Sequence, residues 1–173
     1  MTTYQYPTAQ WPIHKLNEAR AKIYPFQNTV PVDVNDIARH LGLSVWEFKN
    51  FPNTTSGKLF RDDNYGGTSG WSIGVNASES YERKRFTVAH EIAHYLLHRD
   101  QINNELSDDS FYRSKKLSST QEHQANRLAA EILMPFHLLQ RAQNEGIRDI
   151  DELAKRFGVS AVAMKIRLGI PVY

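Results

Sequence analysis

The chain contains no cysteine. That excludes disulfide frameworks, thiolate zinc sites and cysteine nucleophiles, and it accords with a reducing compartment. It also has no apolar run near the ~18 residues that a membrane span requires. Its first residues, Met1-Thr2-Thr3-Tyr4-Gln5-Tyr6-Pro7, have neither the basic start nor the apolar stretch of a secretory signal. A cytoplasmic location without membrane association is therefore expected. Charge of one sign is scarce as well: the net charge is +2, which neither predicts nor forbids a nucleic-acid binder. Repeats and low-complexity tracts are absent. What remains is 173 residues, 40% hydrophobic and 23% charged, enough for one domain with a real core.

Apolar spacing and punctuation divide the chain into elements. Residues 1–10 read as a loose arm. Trp11 to Tyr24 reads as a helix with Ile13, Leu16, Ala19 and Ile23 on one side, stopped by Pro25. A second helix spans about Val32 to Leu41, with Asp33 able to cap it and Gly42 able to end it. Leu43–Phe48, Lys58–Arg61 and Trp71–Asn76 read as strands, with the turn Asp62-Asp63-Asn64-Tyr65-Gly66-Gly67 before the third. They predict a small antiparallel sheet, with Trp71–Val75 as a candidate edge for an added peptide strand. Helices follow over Ser80–His98 and Ser119–Met134, separated by a long polar connection. Another runs from Pro135 to about Asn144. Asp149–Phe157 and Ser160–Leu168 then have helix-turn-helix spacing. The expected fold class is α+β and helix-dominated. The expected organisation is an arm (1–10), a main domain (11–145) and a C-terminal helical pair packed on the core (146–173).

One segment carries chemistry. His90-Glu91-Ile92-Ala93-His94 is an H-E-x-x-H sequence inside a predicted helix. Residues i and i+4 lie one turn apart on one face, about 6 Å along the axis. Two imidazoles there can converge on a tetrahedral zinc. Glu91 can accept a proton from a metal-bound water and pass it to a leaving amine. Five residues with three fixed also occur by chance. The apolar flanks Val88, Ala89, Ile92 and Ala93 add weight, because a partly buried histidine pair needs a partner.

A third ligand is required. His98 continues the same face but lies about 12 Å along the axis from His90, so it fits a supporting or capping role better. Asp100 would need a glycine-permitted turn where Leu97 stands. Glu122, 28 residues after His94 on another predicted helix, is a third choice, and its neighbours Ala125, Ala129 and Ala130 are small. Glu131 is a rival on that helix, too far along it for both to face one ion. Tyr95, His98, Tyr112 and His123 are candidates for a supporting or oxyanion-stabilising role. Histidine and carboxylate ligands admit manganese as well as zinc.

Arg85-Phe86-Thr87-Val88-Ala89-His90-Glu91-Ile92-Ala93-His94-Tyr95-Leu96-Leu97-His98 resembles the core signature of the ImmA/IrrE metallopeptidases. So does Glu122-His123-Gln124-Ala125-Asn126-Arg127-Leu128-Ala129-Ala130-Glu131-Ile132-Leu133-Met134-Pro135, with Leu128 where the family usually has Phe. Ile73-Gly74-Val75-Asn76, Ile37-Ala38-Arg39-His40-Leu41-Gly42 and Leu153-Ala154-Lys155-Arg156-Phe157-Gly158 extend the resemblance to roughly residues 14–170. It implies a zincin-like fold, zinc on His90, His94 and Glu122 in the gluzincin manner, and Glu91 as general base. It implies as substrate a helix-turn-helix repressor of the XRE type, whose cleavage lifts repression in a mobile element or stress response. An alternative it also implies is a toxin–antitoxin-like pair, in which the chain acts through binding its cognate repressor or antitoxin. Direct DNA binding is not expected, because Ser160-Ala161-Val162-Ala163-Met164 offers almost no bidentate donors to base edges. The basic run Arg83-Lys84-Arg85 reads as a solvated face. Oligomeric state is not legible.

Overall fold

A computed structural model describes residues 12–51, 55–102 and 118–172. Within them run seven α-helices and three strands. In chain order they are α1 (Ile13–Ile23), α2 (Val34–His40), β1 (Leu43–Phe48), β2 (Gly57–Arg61), β3 (Trp71–Asn76), α3 (Tyr81–His98), α4 (Ser119–Leu133), α5 (Phe136–Asn144), α6 (Ile150–Phe157) and α7 (Ala161–Arg167). The architecture is the helix-dominated α+β expected. Among the described residues, no helix is long and apolar enough to cross a membrane. The arm before Trp11 and most of the polar connection, with Tyr112, lie outside the described residues.

Helix starts follow the capping residues. Asp33 accepts from the backbone N–H groups of Asn35 and Asp36, Ser80 from Arg83, Asp149 from Glu152 and Ser160 from Ala163. Ser118 and Gln121 form a reciprocal capping box at the start of α4. That box fixes where the helix begins and sets Glu122 in its first turn. There the exposed N–H groups of the helix end favour a negative charge.

The sheet differs from expectation in one respect. Its order is β1-β3-β2. β3 pairs antiparallel with β2, Ile73 opposite Leu59, but parallel with β1, Ile73 opposite Val45. The sheet is therefore mixed, and β3 is its centre rather than an edge. The cause is legible in β3 itself: all six of its residues are buried, so it needs a neighbour on each side. Gly74 admits the close approach of β1, since a Cβ there would stand 2.8 Å from the ring of Phe48. Among the described residues, the outer strands of the sheet are β1 and β2.

Helix α3 is the centre of the molecule. Eleven of its residues are buried, including His94 and His98, a pattern of nearly all-round burial. Its most extensive helix partner is α4. The fully buried alanines Ala89 and Ala93 of α3, and Ala125 and Ala129 of α4, let the two backbones come close. Apolar residues from the sheet and from every helix join one core cluster.

The C-terminal pair is tied to α3 by Arg85. Its Nε donates to the carbonyl of Gly158 at 3.0 Å and its Nη2 to that of Phe157 at 3.4 Å. Gly158 ends α6 with φ +63°, a left-handed conformation that glycine adopts without a Cβ penalty. Arg85 is thus buried, which corrects the expectation of a solvated basic face. Its neighbours stay nearer the surface, with Lys84 paired to Glu47 at 3.1 Å and Arg83 bonded to Ser56.

Candidate metal centre

The close packing of α3 against α4 brings three donors together. Nε2 of His90 and Nε2 of His94 lie 3.0 Å apart. Glu122 bridges them, with one carboxylate oxygen 3.3 Å from His90 Nε2 and the other 3.3 Å from His94 Nε2. The two rings meet nearly edge-on, 84° between planes. A tetrahedral ion with bonds of about 2.0–2.1 Å separates its ligand atoms by about 3.3–3.4 Å. The two distances to Glu122 fall at that spacing, and the separation of the two imidazole nitrogens is about 0.3 Å shorter. His90, His94 and Glu122 also form the one cluster of three potential ligands found among the described residues.

The electrostatics agree. The imidazoles of His90 and His94 hold the Glu122 carboxyl far below the usual carboxylate range, outweighing its partial burial. Burial alone would depress His90. The Glu122 hydrogen bond and charge, the charge of Glu91 and a contribution from Asn126 together outweigh it and raise the ring above its ordinary value. A negative focus between two imidazoles suits a divalent cation. Nδ1 of His90 is buried and makes no hydrogen bond in the described structure, and its ring stacks on Phe86.

The other candidates separate cleanly. His98 is no ligand. It lies behind His94, with its Nδ1 3.0 Å from His94 Nδ1 and its Nε2 2.8 Å from Gln124 Oε1. Burial, helped by the nearby charges of His94 and Lys15, keeps it below the usual histidine value despite the Gln124 bond. Asp100 pairs with Lys15 at 2.9 Å. Glu131 pairs bidentately with Arg20, both contacts 2.9 Å. Tyr95 is buried edge-on against Trp71, with Arg99 over its ring. His123 is exposed on α4. Glu91 is buried next to His90 in α3. Gln124 escaped the sequence reading: its partner is 26 residues away, and nothing local marks it.

Comparison with known proteins places this geometry. The model of the IrrE N-terminal-like domain matches residues 38–169. This chain belongs to that family. The match takes in β1 through α7 and all three candidate ligands. Two relatives are the radiation response metalloprotease IrrE of Deinococcus radiodurans, 40% identical over 92 residues, and that of Deinococcus deserti, 39% identical over 94. The matches cover 50% and 51% of this chain but 27% and 32% of those proteins. The chain thus matches less than a third of the length of either relative. A solved Mycobacterium tuberculosis transcriptional regulator superposes over 92% of this chain and 47% of its own, with TM-score 0.63 and 19% identity. At that identity the likeness is one of fold.

Proposed function

We propose that this chain is a zinc-dependent endopeptidase that cleaves a helix-turn-helix repressor of the XRE type, relieving repression in a mobile element or stress response. The observation that carries the reading is the convergence of His90, His94 and Glu122 at tetrahedral spacing beside Glu91. Membership of the IrrE N-terminal-like family, and the name metalloprotease borne by the two Deinococcus relatives, support it.

The residues divide the work. His90, His94 and Glu122 hold the ion, zinc being the ion to which two imidazoles and one carboxylate are well suited. When bound, the ion supplies Lewis-acid polarisation of a carbonyl and an acidified water. Glu91 accepts a proton at its carboxylate and returns it to the departing amine. The C-terminal pair serves as packing and partner surface rather than as a DNA reader. Of its basic residues, Arg156 is paired with Glu145 at 2.6 Å, and Arg167 donates to the carbonyl of Met134 at 3.0 Å. A repressor substrate places the reaction in the cytoplasm.

The test is incubation of the metal-loaded protein with XRE-type helix-turn-helix repressors from the same genome, read by intact mass. A single cut is expected. Glu91→Gln should lower the rate about 10²–10⁴-fold, the range of a lost general base. Undiminished cleavage by that variant contradicts the assigned role. A stable complex with no cut would instead support the toxin–antitoxin-like reading.

A further inference from the structure

We propose that Gln124 and His98 form a directed hydrogen-bond relay that holds His94 in the one tautomer able to bind a metal, which makes Gln124 a positioning residue of the centre. The inference rests on the metal site described above and concerns how its second histidine is kept ready.

The direction follows from atom types. The Gln124 atom facing His98 is Oε1, 2.8 Å from Nε2, and an amide oxygen only accepts. Nε2 of His98 therefore carries the proton. In a neutral imidazole the other nitrogen is then an acceptor. That nitrogen, Nδ1, lies 3.0 Å from Nδ1 of His94, so Nδ1 of His94 donates. Nε2 of His94 is left with its lone pair. It is this atom that faces His90 Nε2 at 3.0 Å and Glu122 at 3.3 Å.

Reversal of the chain would have the opposite effect. A Gln124 N–H donating to His98 would put the His98 proton on Nδ1, and the His94 proton on Nε2, where it blocks the metal. Burial makes the choice matter. His94 is 3% exposed, His98 2% and Gln124 7%, so water offers little alternative pairing and a broken link leaves a buried polar group unsatisfied. Helix geometry joins the parts: His90, His94 and His98 succeed one another at single-turn spacing on α3. Gln124 stands two residues beyond Glu122 on α4, so one helix supplies both a ligand and the support of another ligand. Metal-bound histidines in general donate their second N–H to an orienting partner. Here the partner is itself a histidine, whose own direction is set by an amide.

Two measurements test this. The first is long-range ¹H–¹⁵N correlation of the histidine rings in the zinc-bound protein near about pH 8, where unliganded imidazole is neutral. The relay predicts His98 protonated on Nε2, with its Nδ1 accepting from the Nδ1–H of His94. His98 protonated on Nδ1 overturns the relay. The second is zinc affinity by competition with a chelator. Gln124→Leu should weaken binding about 10–100-fold, and Gln124→Glu, which keeps an acceptor, should recover most of it. Equal affinity of a folded Gln124→Leu and the wild type overturns the relay too. If Gln124→Leu does not fold, the tautomer measurement on the wild type stands alone. A wild-type chain that binds no zinc refutes the metal site itself, whereas normal zinc binding with the reversed His98 tautomer refutes only the relay.

Discussion

Glu91 and Glu122 are carboxylates close to the same histidine, and substitution should separate them because one holds the ion and the other moves a proton. His90 adds a pH signature. Glu122 and Glu91 raise its pKa in the metal-free chain, against the effect of burial. A raised value means that the ring keeps its proton to a higher pH than free imidazole. That proton must leave before the nitrogen can bind a cation. Zinc affinity is therefore predicted to begin falling, as pH is lowered, at a higher pH than the ordinary imidazole value of 6.5. Below that point the loss should approach about tenfold per pH unit for one displaced proton. Titration calorimetry across a pH series measures it. An affinity flat down to pH 6.5 would contradict the coupling of His90 to Glu122.

At the scale of elements, the contact most exposed to test is between α3 and the end of α6. Arg85→Ala removes a buried charged donor from two carbonyls and should destabilise the protein by about 1.5–3 kcal/mol. Gly158→Ala should act at the same joint. Its φ of +63° disfavours a side chain, and the added Cβ would stand 2.9 Å from Arg85 Nε. Strain of about 1–2 kcal/mol is expected. Because both changes loosen one joint, their effects should be less than additive in a double-mutant thermal melt. The same elements show what a sequence reveals. Caps are local: the helices read as starting at Ser80, Asp149 and Ser160 begin one residue later, and the one capped by Asp33 begins at Val34 rather than about Val32. The three strands are likewise legible from their apolar runs. Their order is not: a meander and the β1-β3-β2 order share the same strands, and only the complete burial of Trp71–Asn76 selects the second. Arg85 looked like part of a charged surface run because its acceptors lie more than 70 residues away.

For the whole molecule, the site joins α3 and α4 at the centre of the fold, so metal binding should be felt globally. A ligand that binds only the folded state stabilises it by about 2.7 kcal/mol at a hundred times its dissociation constant. Zinc is therefore expected to raise the midpoint of thermal unfolding and a chelator to lower it, with no change when Glu122 is Ala. His90, His94 and Glu91 were legible because one helical turn carries them. Glu122 was one of two carboxylates on α4 that the residues alone left open, until the family resemblance chose between them. The fold decides it physically, by giving Glu131 to Arg20 and turning Glu122 toward the histidines. The central claim is that these three side chains bind one catalytic ion. The most direct measurement is metal content by native mass spectrometry of the wild type, Glu91→Gln and Glu122→Ala. The account predicts one zinc per chain in the first two and none in the third. Zinc retained by Glu122→Ala at full occupancy, or absent from the wild type, would contradict it.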